Sequence, residues 1–530
     1  MPPPRTRLYA DPSGKFLHDL VFMAANTRPD EVAIVDTSTT PPRSITFAEY
    51  ADMVERIARG LIAANIRPNQ VVAIFLPNCW EFAAAFHAIS YAGAISTLLN
   101  PSYREREVRY QLENSDAVAL ITDGPLIHDI DLSGLRSLKR VFFTRTGSAA
   151  AEPFSKLLKE RANALPWNES DPQTALAALP YSSGTTGLPK GVMLTHSNIV
   201  TNVFQTVTPG ESGAIRTSDV MLGFLPLYHI YGLTVALNLM IALAGKLVLM
   251  PRFDPKRSLE LLTEHEITIA LCVPPVLLNW SQQAEQGLFP RNHHLKWVKS
   301  GAAPLAPELA HRFTQQTGIR IRQGYGMTEA SPVTHIGFLD PEWYRPTSIG
   351  APVAQTECKI LDDDGHEVKR GERGELIMRG PQFMRGYWKA EDATRAVLRD
   401  GWYWSGDVAQ QDEDGMFYIV DRRKEMIKYS GFPVAPAEVE GVLLEHPDVR
   451  DCGVVGRSDP AHGEVPIAFV ILRNPQRDSP TMAEELKEFV AQRITRYKQP
   501  HDIIFTDSIP RTASGKILRR ELRNRLTAET

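Results

Sequence analysis

Short apolar runs alternate with helical patterns along this chain, and that alternation constrains the fold more than any other feature. Val71–Phe75 is an apolar run typical of a buried strand, residues 80–91 form an alanine-rich helical pattern, and residues 94–99 form the next apolar run. Strands that alternate with helices build parallel sheets with helices on both faces. The alternation returns between residues 197 and 301, so the sequence predicts two doubly wound α/β subdomains.

The pattern changes in the last third of the chain. From Thr356 onward, short β segments are separated by turn signals such as Asp412-Glu-Asp-Gly415, which is typical of a small β subdomain. Beyond Arg422 a new alternation of strands and helices begins. We therefore predict a large N-terminal α/β domain over residues 1–422 and a smaller C-terminal α+β domain over residues 423–530, since 530 residues exceed what one core usually supports.

The charge balance gives no support for a nucleic-acid partner. The chain has 58 Lys and Arg residues against 62 Asp and Glu residues, a formal net charge of −4, and it has no long basic run. A phosphate-bearing small molecule is compatible with this balance. The cysteines are scattered, without a C-x-x-C pair or the spacing of a zinc site: Cys79, Cys272, Cys358 and Cys452.

Scattered cysteines fit a reducing compartment, and neither terminus carries a recognisable secretory or peroxisomal signal, so we expect a cytoplasmic protein. One uncharged segment, residues 220–245, has the length of a membrane span. Pro226, His229 and Asn238 interrupt it, which favours a buried helix and strand over stable membrane insertion.

A loop between Tyr181 and Gly191 has the composition of a polyphosphate-binding loop. Its glycines permit close backbone approach, its hydroxyls can donate hydrogen bonds, and its lysine is a mobile cation. The residues concerned are Ser182, Ser183, Gly184, Thr185, Thr186, Gly187 and Lys190. Pro189 precedes Lys190 and Gly191 follows it, so the loop differs from G-x-x-x-x-G-K-[ST] and disfavours a P-loop kinase. An ordinary surface loop is the alternative interpretation.

Further motifs follow this loop in a fixed order. They are Pro226-Leu-Tyr-His229, Gly324-Tyr-Gly-Met-Thr-Glu329, Trp402-Tyr-Trp-Ser-Gly-Asp407, Asp421-Arg-Arg-Lys424 and Pro510-Arg-Thr-Ala-Ser-Gly-Lys516. Together with the loop they resemble the adenylate-forming superfamily, which contains the 4-coumarate:CoA ligases, acyl-CoA synthetases and firefly luciferase. The resemblance covers essentially the whole chain.

The resemblance implies an acid–thiol ligase that uses ATP, Mg²⁺ and CoA. In such a ligase a carboxylate attacks the α-phosphorus of ATP, giving acyl-AMP and pyrophosphate, and a thiol then displaces AMP to give a thioester. The acid would be fatty or aryl, including arylalkenoic. The C-terminal domain would act as a mobile lid with a hinge near Lys424, and the enzyme would be a monomer or a homodimer.

The resemblance also assigns roles to individual residues. Lys516 would bridge the carboxylate and the α-phosphate, Thr328 would contact that phosphate, and Glu329 would bind Mg²⁺. Asp407 would accept hydrogen bonds from the ribose hydroxyls, with Arg422 and Lys424 on the hinge side of the nucleotide. The adenine slot is implied at Ala302, Gln323, Gly324, Tyr325 and Gly326. A helix cap for Thr328 and Glu329, and a solvated tail lysine for Lys516, are the alternatives.

The acyl and thiol sites are implied in the same way. His229 and Tyr231 would lie where the acyl pocket begins, with Gly301 and Ala302 beside them, although His229 could also be an ordinary core histidine. The chain has no aspartate here to pair an ammonium group, so the resemblance favours a plain carboxylic acid. Arg252, Ser430 and Gly431 would contact CoA, and Lys428 would take part in thioester formation.

The chain departs from the family in two places. Many ligases have Lys-Gly-Phe-Gln where this chain has Ser430-Gly-Phe-Pro433, which loses a cation and an amide. Residues 374–380 lack the cysteine typical of plant 4-coumarate ligases, so a hydroxycinnamate specialist gains no support there.

The alternatives to an acid:CoA ligase are a luciferase-like oxygenase of the acyl-adenylate, a domain that loads a carrier protein, and a non-catalytic nucleotide-binding protein.

Overall fold

Four β-sheets organise the part of the chain that the computed structural model describes, residues 7–145, 152–159, 170–182, 188–208, 213–430, 432–512 and 515–528. Two of the sheets are large and mainly parallel, and two are small. This is the predicted fold class: two α/β subdomains and a β subdomain in a large N-terminal domain, followed by a smaller α+β domain.

The first large sheet has nine strands. In spatial order they are Ala351–Pro352, Val333–Ile336, Arg320–Gly326, Trp297–Ser300, Ile269–Cys272, Val220–Gly223, Lys246–Leu249, Val32–Asp36 and Arg43–Thr46. The central strands are parallel, for example with Ile269 beside Trp297 and Ser300 beside Gln323. Parallel strands place their carboxyl ends at one edge, where ligands bind in open α/β sheets.

The second large sheet has eight strands, again with a parallel centre. In spatial order they are Leu194–Thr195, Leu176–Ser182, Ile95–Leu98, Val71–Phe75, Ala119–Thr122, Arg140–Phe143 and Glu152–Pro153, and Lys190–Gly191 pairs with Leu176–Ser182. Val71–Phe75 is buried along its whole length because helices cover both faces.

The two small sheets lie in the last third of the chain. The β subdomain contains Glu357–Leu361, Arg373–Arg379, Trp402–Gln411, Leu398–Arg399 and Phe417–Arg422. The C-terminal sheet contains Phe432–Val434, Ile427–Tyr429, Gly463–Leu472, Val449–Asp459 and Asp502–Phe505. The last strand of the β subdomain ends at Arg422, and the domain boundary at residues 422 and 423 stays a prediction.

The helices connect these strands. The α-helices are Asp19–Thr27, Phe47–Ala63, Trp80–Tyr91, Glu105–Asn114, Gly124–Ile127, Ser155–Lys159, His196–Thr206, Ile230–Gly232, Leu239–Ala242, Pro255–Glu264, Pro274–Glu285, Pro307–Thr317, Glu391–Val397, Pro436–Leu444, Pro480–Ala491 and Arg519–Ala528. The 3-10 turns are Thr328–Ala330, Pro475–Arg477 and Arg496–Lys498, and Leu233–Asn238 is a π-helix.

Local sequence explains where several helices begin. Thr46 accepts a hydrogen bond from the backbone of Glu49, whose side chain accepts from Thr46 N at 2.8 Å, a reciprocal capping box. The uncharged segment forms the helical stretch from Ile230 to Ala242, which is fully or mostly buried, and the strand Lys246–Leu249. None of the described helices combines the length and apolar character that a membrane span requires.

The apolar core follows the division into domains. One continuous cluster includes Ile74 of the second sheet and Leu222 of the first, so the two large sheets share a core. The C-terminal domain has a cluster of its own around Ile427, Val454 and Leu486. A domain with its own core can move as a body relative to the rest of the chain.

Candidate active site

A cleft of about 1610 Å³ lies between the strand ends of the N-terminal domain and the C-terminal domain. Pro274, Gly301 and Gly326 line it, and these residues follow or end three neighbouring strands of the first sheet. Asp407 comes from the β subdomain, and Lys516 comes from the C-terminal domain. The cleft therefore has the place that the topology of a parallel sheet predicts for a ligand.

A β-hairpin fixes two charged residues in the cleft. Asp407 and Arg422 face each other in the register of Trp402–Gln411 and Phe417–Arg422. Arg422 Nε lies 3.3 Å from Asp407 Oδ1, and the hydroxyl of Tyr325 donates to Asp407 Oδ2. The carboxylate is thus held by a cation and a phenol, and it can accept further hydrogen bonds from a ligand in the cleft.

Thr328 and Glu329 lie in a single 3-10 turn that ends the strand Arg320–Gly326. The turn begins after Met327, which makes no side-chain capping bond, so the turn does not support a capping role for either side chain. Glu329 is buried and its Oε1 accepts from the hydroxyl of Tyr387 at 2.8 Å. A buried carboxylate that lines the cleft and accepts from a neutral hydroxyl suits a hard cation such as Mg²⁺.

Lys516 reaches the cleft from the C-terminal domain. Burial, together with the charge of Arg422, lowers the pKa of Lys516 to about 8, while Asp407 and Glu329 act in the opposite direction. The ammonium group therefore lies within electrostatic reach of both nucleotide-side carboxylates. The alternative of a solvated tail lysine does not fit this position.

The acyl side of the cleft begins at a helix start. His229 precedes the helix Ile230–Gly232, and its Nδ1 accepts from Tyr231 N at 3.2 Å. Burial, and secondly the charge of Lys516, lowers the pKa of His229 to about 4, so the imidazole is neutral near pH 7. A Cβ on Gly301 would lie 3.2 Å from Cζ of Tyr231, so the missing side chain leaves room for the phenol ring.

Lys299 is a cleft residue that sequence reasoning missed. It is 3% exposed, lines the cleft beside Tyr231, whose hydroxyl donates to Lys299 O at 3.4 Å, and runs past Gly324, where a Cβ would lie 2.8 Å from Lys299 Cε. Burial, and secondly the charge of Arg322, lowers the pKa of Lys299 to about 7. A lysine within the otherwise buried strand Trp297–Ser300 was the available signal.

The predicted polyphosphate loop lies only partly within the described residues. Ser182 lines the cleft and pairs with Lys190 in a short antiparallel hairpin that brackets the loop. The Nζ of Lys190 lies 5.7 Å from the ring centroid of Tyr387, which also binds Glu329. The remaining loop residues fall outside the described ranges: Ser183, Gly184, Thr185, Thr186 and Gly187.

Three of the residues predicted for CoA and the thioester step, Arg252, Lys428 and Ser430, do not line this cleft. Arg252 is exposed in the connection between Lys246–Leu249 and Pro255–Glu264. Lys428 lines a separate small cavity, and its backbone N–H donates to Glu464 Oε2 at 2.8 Å. Ser430 lies 3.0 Å from His462 Nδ1 through its hydroxyl. Gly431 falls outside the described residues.

Most of the other predicted residues meet in the cleft. They are Ser182, His229, Tyr231, Gly301, Ala302, Gln323, Gly324, Tyr325, Gly326, Thr328, Glu329, Asp407, Arg422, Lys424 and Lys516. Their positions agree with a nucleotide at one end and an acyl group at the other, and the role of each residue stays a prediction.

Known proteins of similar sequence point the same way. The family model of AMP-binding enzymes matches residues 21–388, and that of the AMP-binding enzyme C-terminal domain matches residues 438–516. The chain is 38% identical over 522 residues to 4-coumarate--CoA ligase 5 of Oryza sativa subsp. japonica, covering 97% of this chain and 95% of the relative. It is 36% identical over 533 residues to 4-coumarate--CoA ligase 1 of Arabidopsis thaliana, covering 97% and 93%.

Solved structures share the whole fold. The anthranilate CoA ligase AuaEII, in complex with anthranoyl-AMP, has a TM-score of 0.88 and 25% identity, with 99% of each chain covered. A benzoate CoA ligase from Burkholderia xenovorans LB400 has a TM-score of 0.86 and 28% identity, covering 96% of this chain and 100% of that one.

A two-domain α/β fold with a nucleotide-sized cleft under a C-terminal domain defines an adenylate-forming enzyme. The chain belongs to the family of AMP-binding enzymes, as the family model and the relatives show. The resemblance drawn from the sequence motifs is thereby confirmed.

Proposed function

We propose that this enzyme is an ATP-dependent acid:CoA ligase that activates an aromatic or arylalkenoic carboxylic acid as its acyl-AMP and then forms the acyl-CoA. The observation that carries this proposal is the meeting of Lys516, Asp407 and Glu329 in one cleft with the acyl-side residue His229. The names of the 4-coumarate--CoA ligases and of the benzoate and anthranilate CoA ligases support it.

The first step brings two anions together, and the cleft supplies the charge that this requires. Lys516 would lie between the acid carboxylate and the α-phosphate. The charge of Asp407 raises the pKa of Lys516, and the charge of Lys516 lowers the pKa of His229, so the lysine lies near both residues. Electrostatic stabilisation by a preorganised cation is usually the largest contribution to such a barrier. Thr328 would donate to the same phosphate, and Ser182 and Lys190 would orient the departing pyrophosphate.

Glu329 would hold a Mg²⁺ ion, which supplies charge neutralisation to the phosphates when it is bound. Tyr387 keeps the carboxylate in place through its hydroxyl. On the sugar side, Asp407 would accept from the ribose hydroxyls while Arg422 holds the carboxylate at 3.3 Å. Tyr325 would then stack or border the adenine as it keeps its bond to Asp407.

The acyl end of the cleft favours an aromatic acid over a fatty acid. The phenol of Tyr231 lies next to Gly301, and the amine of Lys299 lies beside Gly324, so both side chains place polar groups in the buried part of the cleft. An amine on the wall of the cleft gains a hydrogen bond from a polar ligand group, and an aliphatic tail offers none. A ring that carries a hydroxyl, an amino or a carboxyl group would pair with Lys299.

The second step requires a different arrangement of the lid. Lys516 lies in the cleft while Lys428 faces a separate cavity of the same domain. We propose that the C-terminal domain turns about a hinge near Lys424 and then presents the segment from Lys428 to Gly431 to the acyl-adenylate, with Arg252 at the CoA phosphates. A hinge that uses one site for two steps is a known kind of domain motion.

The setting of the enzyme is also a proposal. All four cysteines are free and three of them are buried, which suits a reducing cytoplasm. We propose a cytoplasmic monomer or homodimer that handles small molecules and binds no nucleic acid.

A panel of acids tests the function. Pyrophosphate release should depend on the acid and should be fastest with ring acids that carry a polar group, such as hydroxylated cinnamates and benzoates. Unsubstituted and long aliphatic acids should be slower by about tenfold or more. A second assay compares the rate of thioester formation with free CoA and with a phosphopantetheinyl carrier protein as the thiol acceptor. Acid-independent pyrophosphate release, or preference for long aliphatic acids, would contradict the proposal.

A further inference from the structure

Arg511 lies just before Lys516 in the C-terminal domain and bridges two groups. Its Nη2 donates to Asp451 Oδ1 at 2.7 Å, and its Nη1 donates to the carbonyl oxygen of Gly515 at 2.9 Å. Asp451 lies near the start of the strand Val449–Asp459, and its Oδ1 also accepts from Cys452 N at 2.9 Å. The guanidinium therefore ties the peptide that precedes Lys516 to a strand of the domain core.

The described residues on either side of positions 513 and 514, namely 511–512 and 515–517, are called the lysine turn. Thr512 N donates to Lys516 O at 2.8 Å, Lys516 N donates to Thr512 Oγ1 at 3.1 Å, and Arg511 forms an isolated antiparallel bridge with Ile517. These bonds join the two sides of the turn. They do not fix its position relative to the domain, which depends on contacts such as the one between Arg511 and Asp451.

The turn also docks on the N-terminal domain. Gly515 has a φ of +82°, and a Cβ built on it would lie 3.1 Å from Cδ of Pro275 and 3.5 Å from Cβ of Val273. The backbone of Gly515 thus approaches the start of the helix Pro274–Glu285 closely. Because Arg511 holds the carbonyl of this same residue, it acts at the point where the turn meets the N-terminal domain.

A second arginine holds the other side of Lys516. Arg519 donates from Nη1 to Glu440 Oε1 at 2.8 Å and from Nη2 to Glu440 Oε2 at 3.2 Å. Glu440 is buried and also accepts from Val454 N at 2.8 Å. Lys516 therefore lies in sequence between two arginines that are each paired with a carboxylate. Arg511 is the one that also holds Gly515, the residue in contact with the N-terminal domain.

We propose that Arg511 is a positioning residue for the adenylation step, which holds the carbonyl of Gly515 against Asp451 so that Lys516 is presented to the reacting carboxylate and α-phosphate. This inference rests on the proposed role of Lys516. A lysine side chain has four flexible bonds, and misplacing its base by about 1 Å can cost about 100-fold in rate. Thioester formation proceeds with the lid turned and does not need this alignment.

The experiment compares two half-reactions in the full-length enzyme. Arg511→Gln removes both donor contacts, whereas Arg511→Lys can keep the ion pair with Asp451 but cannot also reach Gly515 in the same fork. Acid-dependent pyrophosphate release reports adenylation, and thiolysis of supplied acyl-AMP reports the second step. Lys487→Gln, which removes an exposed ion pair with Glu484 on the helix Pro480–Ala491, is the matched control for loss of a lid cation.

Arg511→Gln should slow adenylation by about tenfold to 100-fold and leave thiolysis within about twofold, with Arg511→Lys between it and the wild type. In a Lys516→Ala background Arg511→Gln should cause no further loss, because it acts through Lys516. Equal losses in both half-reactions, or a full additional loss in the Lys516→Ala background, would overturn the proposal for Arg511 alone. Unchanged adenylation in Lys516→Ala by itself would overturn the role of Lys516 and this inference with it.

Discussion

At the scale of single residues, Lys516 combines its proposed catalytic role with a lowered pKa. Burial and Arg422 lower its pKa to about 8, and only the ammonium form can neutralise the reacting anions. We therefore expect the rate of pyrophosphate release to fall as the pH rises through about 8. The fall should follow one titrating group in the pH profile of kcat/KM, which reports the free enzyme.

Lys424 provides the control for this prediction, because partial burial and Arg422 lower its pKa to about 8 as well. Lys516→Arg keeps a charge at all accessible pH values, so this slower variant should lose the alkaline fall. Lys424→Gln should retain it. If the alkaline fall persists in Lys516→Arg and vanishes in Lys424→Gln, the assignment to Lys516 is wrong.

Lys299 should determine the selectivity of the enzyme for acids that carry a polar group on the ring. Lys299→Met keeps the length and the apolar stem but removes the amine, so the preference for ring acids with a polar group should drop by about tenfold or more in kcat/KM. Unsubstituted ring acids should gain or stay unchanged. The measurement is the ratio of kcat/KM for a hydroxylated and an unsubstituted acid, and an unchanged ratio would exclude Lys299 from acid selection.

At the scale of elements, Gly301 at the end of the strand Trp297–Ser300 should set the width of the proposed acyl site. A Cβ on Gly301 would lie 3.2 Å from Cζ and 3.3 Å from Oη of Tyr231, so Gly301→Ala must push the phenol ring or narrow the site. We expect a KM for ring acids raised by about tenfold and an unchanged KM for ATP. Steady-state kinetics with acids of graded ring size measure this, and an equal rise in both KM values would indicate a general distortion instead.

Sequence alone predicted the elements well where the pattern was local. The buried strand Val71–Phe75 follows from its apolar run, and the burial of the segment that contains Asn238 follows from its lack of charge. The π-helix Leu233–Asn238 had no local signal, because its extra residue per turn depends on packing. Lys299 had a local signal, a lysine inside an apolar strand, but only the neighbouring strands and Gly324 show that it lines the cleft.

The meeting of distant residues could not be derived from local pattern. Glu329, Asp407 and Lys516 lie far apart in the chain, and only the order of motifs in the family resemblance predicted that they share one site. The ion pair between Arg511 and Asp451 could not be predicted from the sequence, because an arginine before a glycine–lysine turn has many possible partners. Tertiary contacts decide such cases.

At the scale of the whole molecule, buried histidines should make the fold sensitive to acid. Burial lowers the pKa of His87 to about 3, where Tyr50 and Asn238 hold its ring at 2.7 and 3.1 Å. Since this folded-state pKa lies below the unfolded value of about 6.5, the stabilisation is present above pH 6.5 and is lost as the pH falls below it. Each such histidine contributes a slope of about 1.4 kcal/mol per pH unit.

The test compares the pH dependence of the free energy of unfolding in two variants. His87→Gln should be less stable at neutral pH but should show a shallower loss between about pH 6.5 and 5. His128→Gln is the control, because the side chain of His128 is 83% exposed. Parallel curves for His87→Gln and the wild type would show that this histidine does not carry the acid sensitivity.

The largest motion proposed for the molecule is a turn of the C-terminal domain, which would present Lys516 in one orientation and Lys428 in the other. Lys516 lies in the cleft and Lys428 lines a different cavity, so a single lid orientation cannot present both to the acyl group. Lys516→Ala should therefore slow acyl-AMP formation by about 100-fold or more and leave thiolysis of supplied acyl-AMP much less affected. Lys428→Ala should do the reverse.

Rapid-quench measurement of each half-reaction, with the acyl-AMP supplied for the second, distinguishes these outcomes. A hinge also predicts that the two losses are independent, because each lysine acts in its own orientation of the lid. The double variant should then lose as much adenylation rate as Lys516→Ala and as much thiolysis rate as Lys428→Ala. If either single substitution slowed both half-reactions equally, one fixed orientation would have to serve both steps, and the hinge near Lys424 would have no catalytic purpose.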